Sequence, residues 1–348
     1  MDAVKIGSRT VGAGAPAYLI AEAGLNHDRK LDQALRLIDV AAEAGADAVK
    51  FQTFSAEKIQ ARTRDRASYL DTLVEKGRSM QDLFRDLELP REWHEALAKH
   101  ARERGLDFLS TPFDEEAVDL LETLDVPAIK IASFELWHLP LIRHAARTGR
   151  PLILSTGMAN MGDIEDALDA ARSEGNERIV LLHCAISYPP AWKDLNLRAI
   201  PTMAAAFHVP VGYSDHSPGH TADVVAVTLG AAAIEKHFTI DKSLPGPDHP
   251  FALDPGELAA MVRAIREAEA SLGTGEKRRA EAEAELYRVA RRSLFAAVDI
   301  PKGTVIERSM IAVLRPGTGL KPRDLDLVVG RVARADIRAN DPITWEIV

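Results

Sequence analysis

The chain has 348 residues, of which 46% are apolar and 27% charged, and its formal net charge is −9. That is globular composition with ample material for a core, and the acidity argues against nonspecific nucleic-acid binding without excluding an anionic small substrate in a locally basic site. The single cysteine, Cys184, excludes an internal disulfide. The longest apolar stretch, residues 224–234, is broken by Thr228 and Gly230 and is too short to cross a bilayer. Residues 1–9 carry no apolar signal core. Together these features lead us to expect a cytoplasmic protein with no membrane span.

Residues 4–11, centred on Gly7-Ser8-Arg9, read as a hairpin plugging the bottom of a larger sheet. Short β-branched runs follow at 18–22, 48–53, 107–110, 128–131, 152–155, 179–183, 210–214 and 233–237. Between them lie amphipathic stretches such as 31–44, 91–104 and 161–174, with Gly45, Gly105 and Pro151 at the joins. Strand–helix alternation predicts a parallel sheet. Eight repeats favour a closed (β/α)8 TIM barrel, which takes roughly 250 residues, over an open doubly wound sheet. No glycine-rich dinucleotide fingerprint follows the first strand. The long charged stretch 63–78 is expected to contain a lid or an extra helix.

After Gly273 the pattern changes. Residues 276–285 are charged and alanine-rich and read as a solvated linker helix. Short strands and turns are expected at 293–298, 301–303, 312–315, 328–332 and 344–348, which make a small β-rich domain. The expected division is a barrel over 1–273, a linker over 274–290 and the small domain over 291–348.

Barrel enzymes carry their chemistry at the C-terminal ends of the strands. Here those ends hold Glu22, then Lys50 and Gln52, then Ser110-Thr111, then Lys130 with Ser133 and Glu135, then Ser155. His183 with Tyr188, Ser214-Asp215-His216, and Glu235 with His237 complete the circuit. Side-chain alternation turns Lys50, Gln52 and Lys130 inward. A lysine inside a barrel needs an anionic partner. Two of them, with hydroxyls at Thr111, Ser133 and Ser214, suggest a bound phosphate or carboxylate; the plainer alternative is that each lysine pairs with an internal glutamate. His216 and His237 end consecutive strands and could share one divalent ion, or each could simply be a satisfied polar residue. Glu135 and Asp215 could hold a metal-bound water or act as acid and base, or could pair with Lys130 and Lys236. Nothing in the sequence supplies Cys184 with an activating base, so it reads as an inert thiol.

The segments IAEAGLNH (20–27), DAVKFQTF (47–54), LSTPFD (109–114), KIASFE (130–135), LSTGMA (154–159), VGYSDH (211–216), IEKHFT (234–239) and PGPDH (245–249) resemble the sialic acid synthase family, whose products are nonulosonic acids. RRSLFAAVDIPKG and LRPGTGL resemble the antifreeze-like (SAF) domain of those enzymes. The resemblance spans nearly the whole chain in order. It implies condensation of phosphoenolpyruvate with N-acetylmannosamine or a close amino-sugar, with C–O cleavage and release of phosphate. It further implies that Lys50, Thr111, Lys130, Ser133 and Ser214 bind phosphoenolpyruvate. Glu22, Gln52, Tyr188 and Asp248 would bind the sugar, and Glu135 would sit by the reacting water, with Glu22, Glu135 and His216 as the catalytic groups. His216 and His237 would hold a divalent metal, manganese first, with magnesium or cobalt as alternatives. Arg315 would reach the N-acyl group from the other subunit of a domain-swapped homodimer.

Two positions depart from the pattern. Ala185-Ile186-Ser187 replaces a small polar pair, and Phe134 stands where sialic-acid-forming members often carry glycine. They keep open a legionaminic, pseudaminic or spore-coat type of enzyme acting on a 2,4-diacetamido-6-deoxy sugar, an acceptor that an apolar Phe134 and Ile186 would suit if both face the pocket. Two other readings are a 3-deoxy-octulosonate type of aldol enzyme, which the C-terminal domain argues against, and a non-catalytic carbohydrate binder, which the retained polar residues argue against.

Overall fold

The computed structural model describes residues 3–61 and 79–348. The lid or extra helix expected at 63–78 lies outside the described residues. The chain divides into two compact units, Met1–Gly273 and Thr274–Val348.

The first unit opens with an antiparallel hairpin, β1 (Val4–Ile6) and β2 (Arg9–Val11). Its turn needs Gly7: φ is 54°, and a Cβ there would lie 2.5 Å from the Asp107 carboxylate. Eight parallel strands follow: β3 (Tyr18–Gly24), β4 (Ala48–Thr53), β5 (Asp107–Pro112), β6 (Ile129–Ile131), β7 (Leu152–Ser155), β8 (Ile179–Cys184), β9 (Val211–Asp215) and β10 (Ala233–His237). The hydrogen-bonded order is β5-β4-β3-β10-β9-β8-β7-β6. β5 and β6 lie against each other and bring the sheet round to a nearly closed barrel, as the strand–helix alternation predicts.

Alternation along each strand sorts the side chains into two cores. Leu19, Ala21, Val49, Phe51, Leu154, Leu181 and Ile234 face outward and pack with Leu37, Leu97, Leu121, Leu168 and Ile265 of the surrounding helices. Tyr18, Ile20, Ala48, Leu109, Ile153, Val180, Leu182 and Ala233 form a second cluster with Val4, Ile6 and Val11 of the hairpin, which therefore plugs the barrel bottom. Most strands thus begin inside with an apolar residue; β9 has Gly212 there instead. Two residues later the inward side chain is polar, as in Ile20 then Glu22, Ala48 then Lys50, Leu109 then Thr111, and Ala233 then Glu235. The lower layers close the barrel, and the top layer is left for chemistry.

The second unit contains one antiparallel pair, β11 (Ser293–Ala296) and β12 (Ile311–Leu314), over a core of Leu294, Ile300, Ile306, Val328, Ile337 and Ile343. The strands expected at 328–332 and 344–348 do not form as ladders. Val332 makes a single bridge to Val305, and Gly330, at φ 87°, turns the chain between them. The expected linker helix 276–285 is also shorter than read: only Glu281–Glu283 and Ala284–Val289 are helical. Residues 272–289 are exposed throughout, so no apolar face is buried to sustain a longer helix.

Candidate active site

Ten of the residues singled out from the sequence line one pocket at the barrel mouth: Glu22, Lys50, Gln52, Thr111, Lys130, Ser133, Tyr188, Ser214, His216 and His237. They come from β3, β4, β5, β6, β9 and β10 and from the loops after β6, β8 and β9. Ser155, Cys184 and Glu235 join them. The sequence reading placed Ser155 and Glu235 at strand ends without assigning them a role and read Cys184 as an inert thiol. Glu135, half-buried in the single turn Ser133–Glu135, is not among the lining residues. Asp248 lies just beyond the pocket, its Oδ2 3.6 Å from His237 Nδ1. Arg315 belongs to the second unit, exposed directly after β12.

The two lysines are buried and electrostatically distinct. Lys50 Nζ donates to Thr111 Oγ1 at 2.9 Å and lies 2.6 Å from Glu22 Oε2 and 3.7 Å from Glu235 Oε2. Burial opposes its charge, but Glu22 and Glu235 together hold its pKa above the ordinary value. Among the described residues Lys130 Nζ has only Glu235 within ion-pair reach, at 3.7 Å, and a bond to its neighbour's carbonyl, Ile131 O, at 3.3 Å. There burial dominates and lowers the pKa. The internal-glutamate alternative is therefore correct for Lys50 and weak for Lys130.

The carboxylates split in the same way. Burial pushes Glu22 up to about 7, with Lys50 opposing it. Burial also opposes ionisation of Glu235, but Lys130 and Lys50 flank it and keep its pKa below the ordinary value. Ser214 Oγ donates to Glu235 Oε1 at 2.9 Å, while Oε2 has no hydrogen-bond partner among the described residues. One carboxylate that titrates near neutrality beside one that stays ionised is the pattern of a site that moves protons.

The rings of His216 and His237 stand 5.4 Å apart between centroids. Tyr188 meets His216 edge-on at 4.5 Å, and Phe251 packs on both Tyr188 and His237. Burial lowers His216 to about 4 and lowers His237 well below its ordinary value. Both imidazoles are thus neutral, and the buried His237 Nδ1 has no hydrogen-bond partner among the described residues. Neutral imidazole is the form that ligates a borderline divalent ion. Among the described residues no three His, Cys, Asp or Glu side chains surround one point. The donor set is two imidazoles, which leaves the remaining positions of an ion to water or substrate, as catalytic sites do and structural sites do not. Cys184 Sγ lies 3.8 Å from His216 Nδ1, and burial pushes its thiol up to about 11, as expected for an unreactive group. Asp215 takes its plainer role and pairs with buried Lys236.

Phe134 and Ile186 both line the pocket, and Phe134 is 54% exposed. Ile186 presses on Gly157, where a Cβ would come within 2.4 Å of Ile186 Cγ1.

The fold and this site define a (β/α)8-barrel enzyme whose mouth holds two buried lysines among carboxylates and hydroxyls and is flanked by paired neutral histidines. Comparison with known proteins narrows the class. Residues 37–277 match the NeuB family and residues 291–348 the SAF domain. The chain is 45% identical to the spore coat polysaccharide biosynthesis protein SpsE of Bacillus subtilis, over 99% of this chain and 97% of that protein. It is 40% identical to the N,N'-diacetyllegionaminic acid synthase of Legionella pneumophila, over 98% of this chain and 97% of that one. Its structure is similar to that of the N-acetylneuraminic acid synthetase of Leptospira borgpetersenii, with a TM-score of 0.72 and 34% identity, covering 82% of this chain and 94% of that one. The chain belongs to the NeuB family of nonulosonic acid synthases and is an enzyme of that type. No helix among the described residues is long and apolar enough to cross a membrane.

Proposed function

We propose that this enzyme condenses phosphoenolpyruvate with the open-chain aldehyde of an N-acylated amino sugar. C3 of phosphoenolpyruvate forms a bond to the aldehyde carbon, whose oxygen takes up a proton. Water adds at C2, the C2–O bond breaks, phosphate leaves and a 2-keto acid remains. The observation that carries this reading is the pair of buried lysines among inward hydroxyls. Among the described residues Lys130 has no carboxylate nearer than Glu235 at 3.7 Å, and Lys50 is held by one, Glu22, that titrates near neutrality.

In this reading Lys50, Lys130, Thr111, Ser133 and Ser214 bind the phosphate and carboxylate of phosphoenolpyruvate. As the anion arrives, Glu22 takes up a proton and releases Lys50 to it. Gln52, Tyr188 and Asp248 orient the sugar with Glu22, and Glu135 stands by the reacting water. His216 and His237 would hold a divalent ion, manganese first. Such an ion supplies Lewis-acid polarisation of the aldehyde when bound. Arg315 of a second copy of this chain would complete the acceptor subsite in a domain-swapped homodimer.

Two acceptors remain from the sequence, N-acetylmannosamine and a 2,4-diacetamido-6-deoxy sugar. The apolar wall of Phe134 and Ile186 favours the second, because it offers a C6 hydroxyl no hydrogen-bond partner. The similarity to a diacetyllegionaminic acid synthase supports the same choice. The test is phosphate release from phosphoenolpyruvate in the presence of manganese, with both sugars, N-acetylmannosamine 6-phosphate and arabinose 5-phosphate. Chelator-sensitive release that is fastest with the deoxy sugar is expected. Release without any sugar, or with arabinose 5-phosphate alone, would refute the reading.

A further inference from the structure

The turn after β10 is tied down by a buried side-chain network that the proposed chemistry does not use. Its centre is His249, whose side chain is fully buried with both ring nitrogens engaged. Nδ1 lies 2.6 Å from the Thr239 hydroxyl and Nε2 lies 3.0 Å from Asp28 Oδ1. A carboxylate can only accept, so Nε2 donates. The other Asp28 oxygen accepts from Gln33 Nε2 at 2.8 Å. Asn26 Nδ2 donates to Phe238 O at 2.7 Å. The loop after β3 is thereby joined to the turn after β10.

Two backbone features agree. Asp28 sits at φ 45°, a left-handed conformation that aspartate tolerates better than most residues. At Gly246 a Cβ would lie 2.7 Å from Asp28 Oδ1 and 2.8 Å from His249 Cδ2, so the turn closes on Asp28 only with glycine there.

Asp248 is the residue next to this anchor. Its Oδ2 lies 3.5 Å from Leu25 N and 3.6 Å from His237 Nδ1, both long contacts. Pro245 and Pro250 on either side are exposed. A carboxylate held so loosely takes its position from whatever anchors its turn.

We propose that His249 is a positioning residue: through Asp28 and Thr239 it holds Asp248 at the acceptor end of the mouth. It thereby sets affinity for the hydroxylated acceptor and leaves the phosphoenolpyruvate subsite untouched. The inference rests on the reading of Asp248 as an acceptor-binding group.

Kinetics of the full-length, manganese-loaded enzyme with each substrate varied in turn test it. His249→Ala should raise the acceptor KM about tenfold or more and leave the phosphoenolpyruvate KM within about twofold. His249→Gln, whose amide keeps a donor toward Asp28, should recover most of the loss. Asp28→Ala should give the same acceptor defect, and the double variant should be no worse than either single one. An unchanged acceptor KM, or an equal rise in both, would overturn the proposal. A crystal structure of His249→Ala gives a second readout that needs no turnover. The turn 245–250 should shift and carry Asp248 away from His237, and Asp248 found in place would overturn the proposal. Wild-type enzyme that turns over none of the sugars would instead refute the proposed function, and the crystal structure would still decide the role of His249.

Discussion

Lys50 and Lys130 occupy equivalent inward positions yet differ in environment, because Glu22 reaches only the first at close range. Lys130 is therefore the cation with the most to gain from an incoming anion. Lys130→Ala should lower kcat/KM for phosphoenolpyruvate by about 100-fold or more, with a much smaller effect on the acceptor KM. Unchanged phosphoenolpyruvate kinetics would remove Lys130 from the site. Glu22 makes a pH prediction. Burial raises its pKa to about 7, so below that pH it is mainly protonated and Lys50 is free for the substrate, whereas above it the ionised carboxylate competes for Lys50. The phosphoenolpyruvate KM should rise between about pH 6 and pH 8 in the wild type and rise less in Glu22→Gln. Ionisation of the substrate itself is common to both enzymes and cancels in the comparison. Parallel profiles would show that Glu22 does not gate Lys50.

At the scale of elements, β9 and β10 present two faces with different tasks. Their inward side chains, Ser214, Glu235 and His237, line the mouth. On the outer face Lys236 pairs with Asp215 and lies 3.7 Å from Asp223, all three buried. Asp215 also accepts from Tyr213 Oη at 2.8 Å and from Ser217 N at 2.8 Å, so the network ties the loop that carries His216 to the strands. Removing the lysine would strand two carboxyls in a dry site. Lys236→Met should cost about 3–5 kcal/mol in urea unfolding, and Asp215→Asn in the same chain should restore part of that. A stability loss below about 1 kcal/mol would show that the network is not a major support. The spacing of polar residues along these strands was legible in the sequence because alternation has a period of two. The partnership of Lys236 with Asp223 was not, since it joins a strand to a helix across an interval that no local pattern measures.

For the whole molecule, the proposed swapped homodimer makes a prediction that no single chain can meet. Subunits inactivated by Arg315→Ala, mixed with subunits inactivated by His237→Ala, should regain up to about one quarter of wild-type activity as mixed dimers form with one intact site. Absence of any recovery, with subunit exchange demonstrated, would exclude a shared site. The sequence by itself determined the barrel, the plugging hairpin, the inward lysines and the adjacent histidines, because these depend on short periods and on the order of strands. It overstated the strands of the second unit and its linker helix, where isolated bridges and exposed chain replace the expected elements. Only the tertiary structure decided that Glu22 pairs closely with Lys50 while Glu235 stands 3.7 Å from both lysines, that Phe134 and Ile186 face the pocket, and that Asp28 and His249 meet across 221 positions of sequence. The physical reason is that charge, burial and hydrogen bonding act over a few ångströms in space, and closing the barrel brings together residues that the chain keeps far apart.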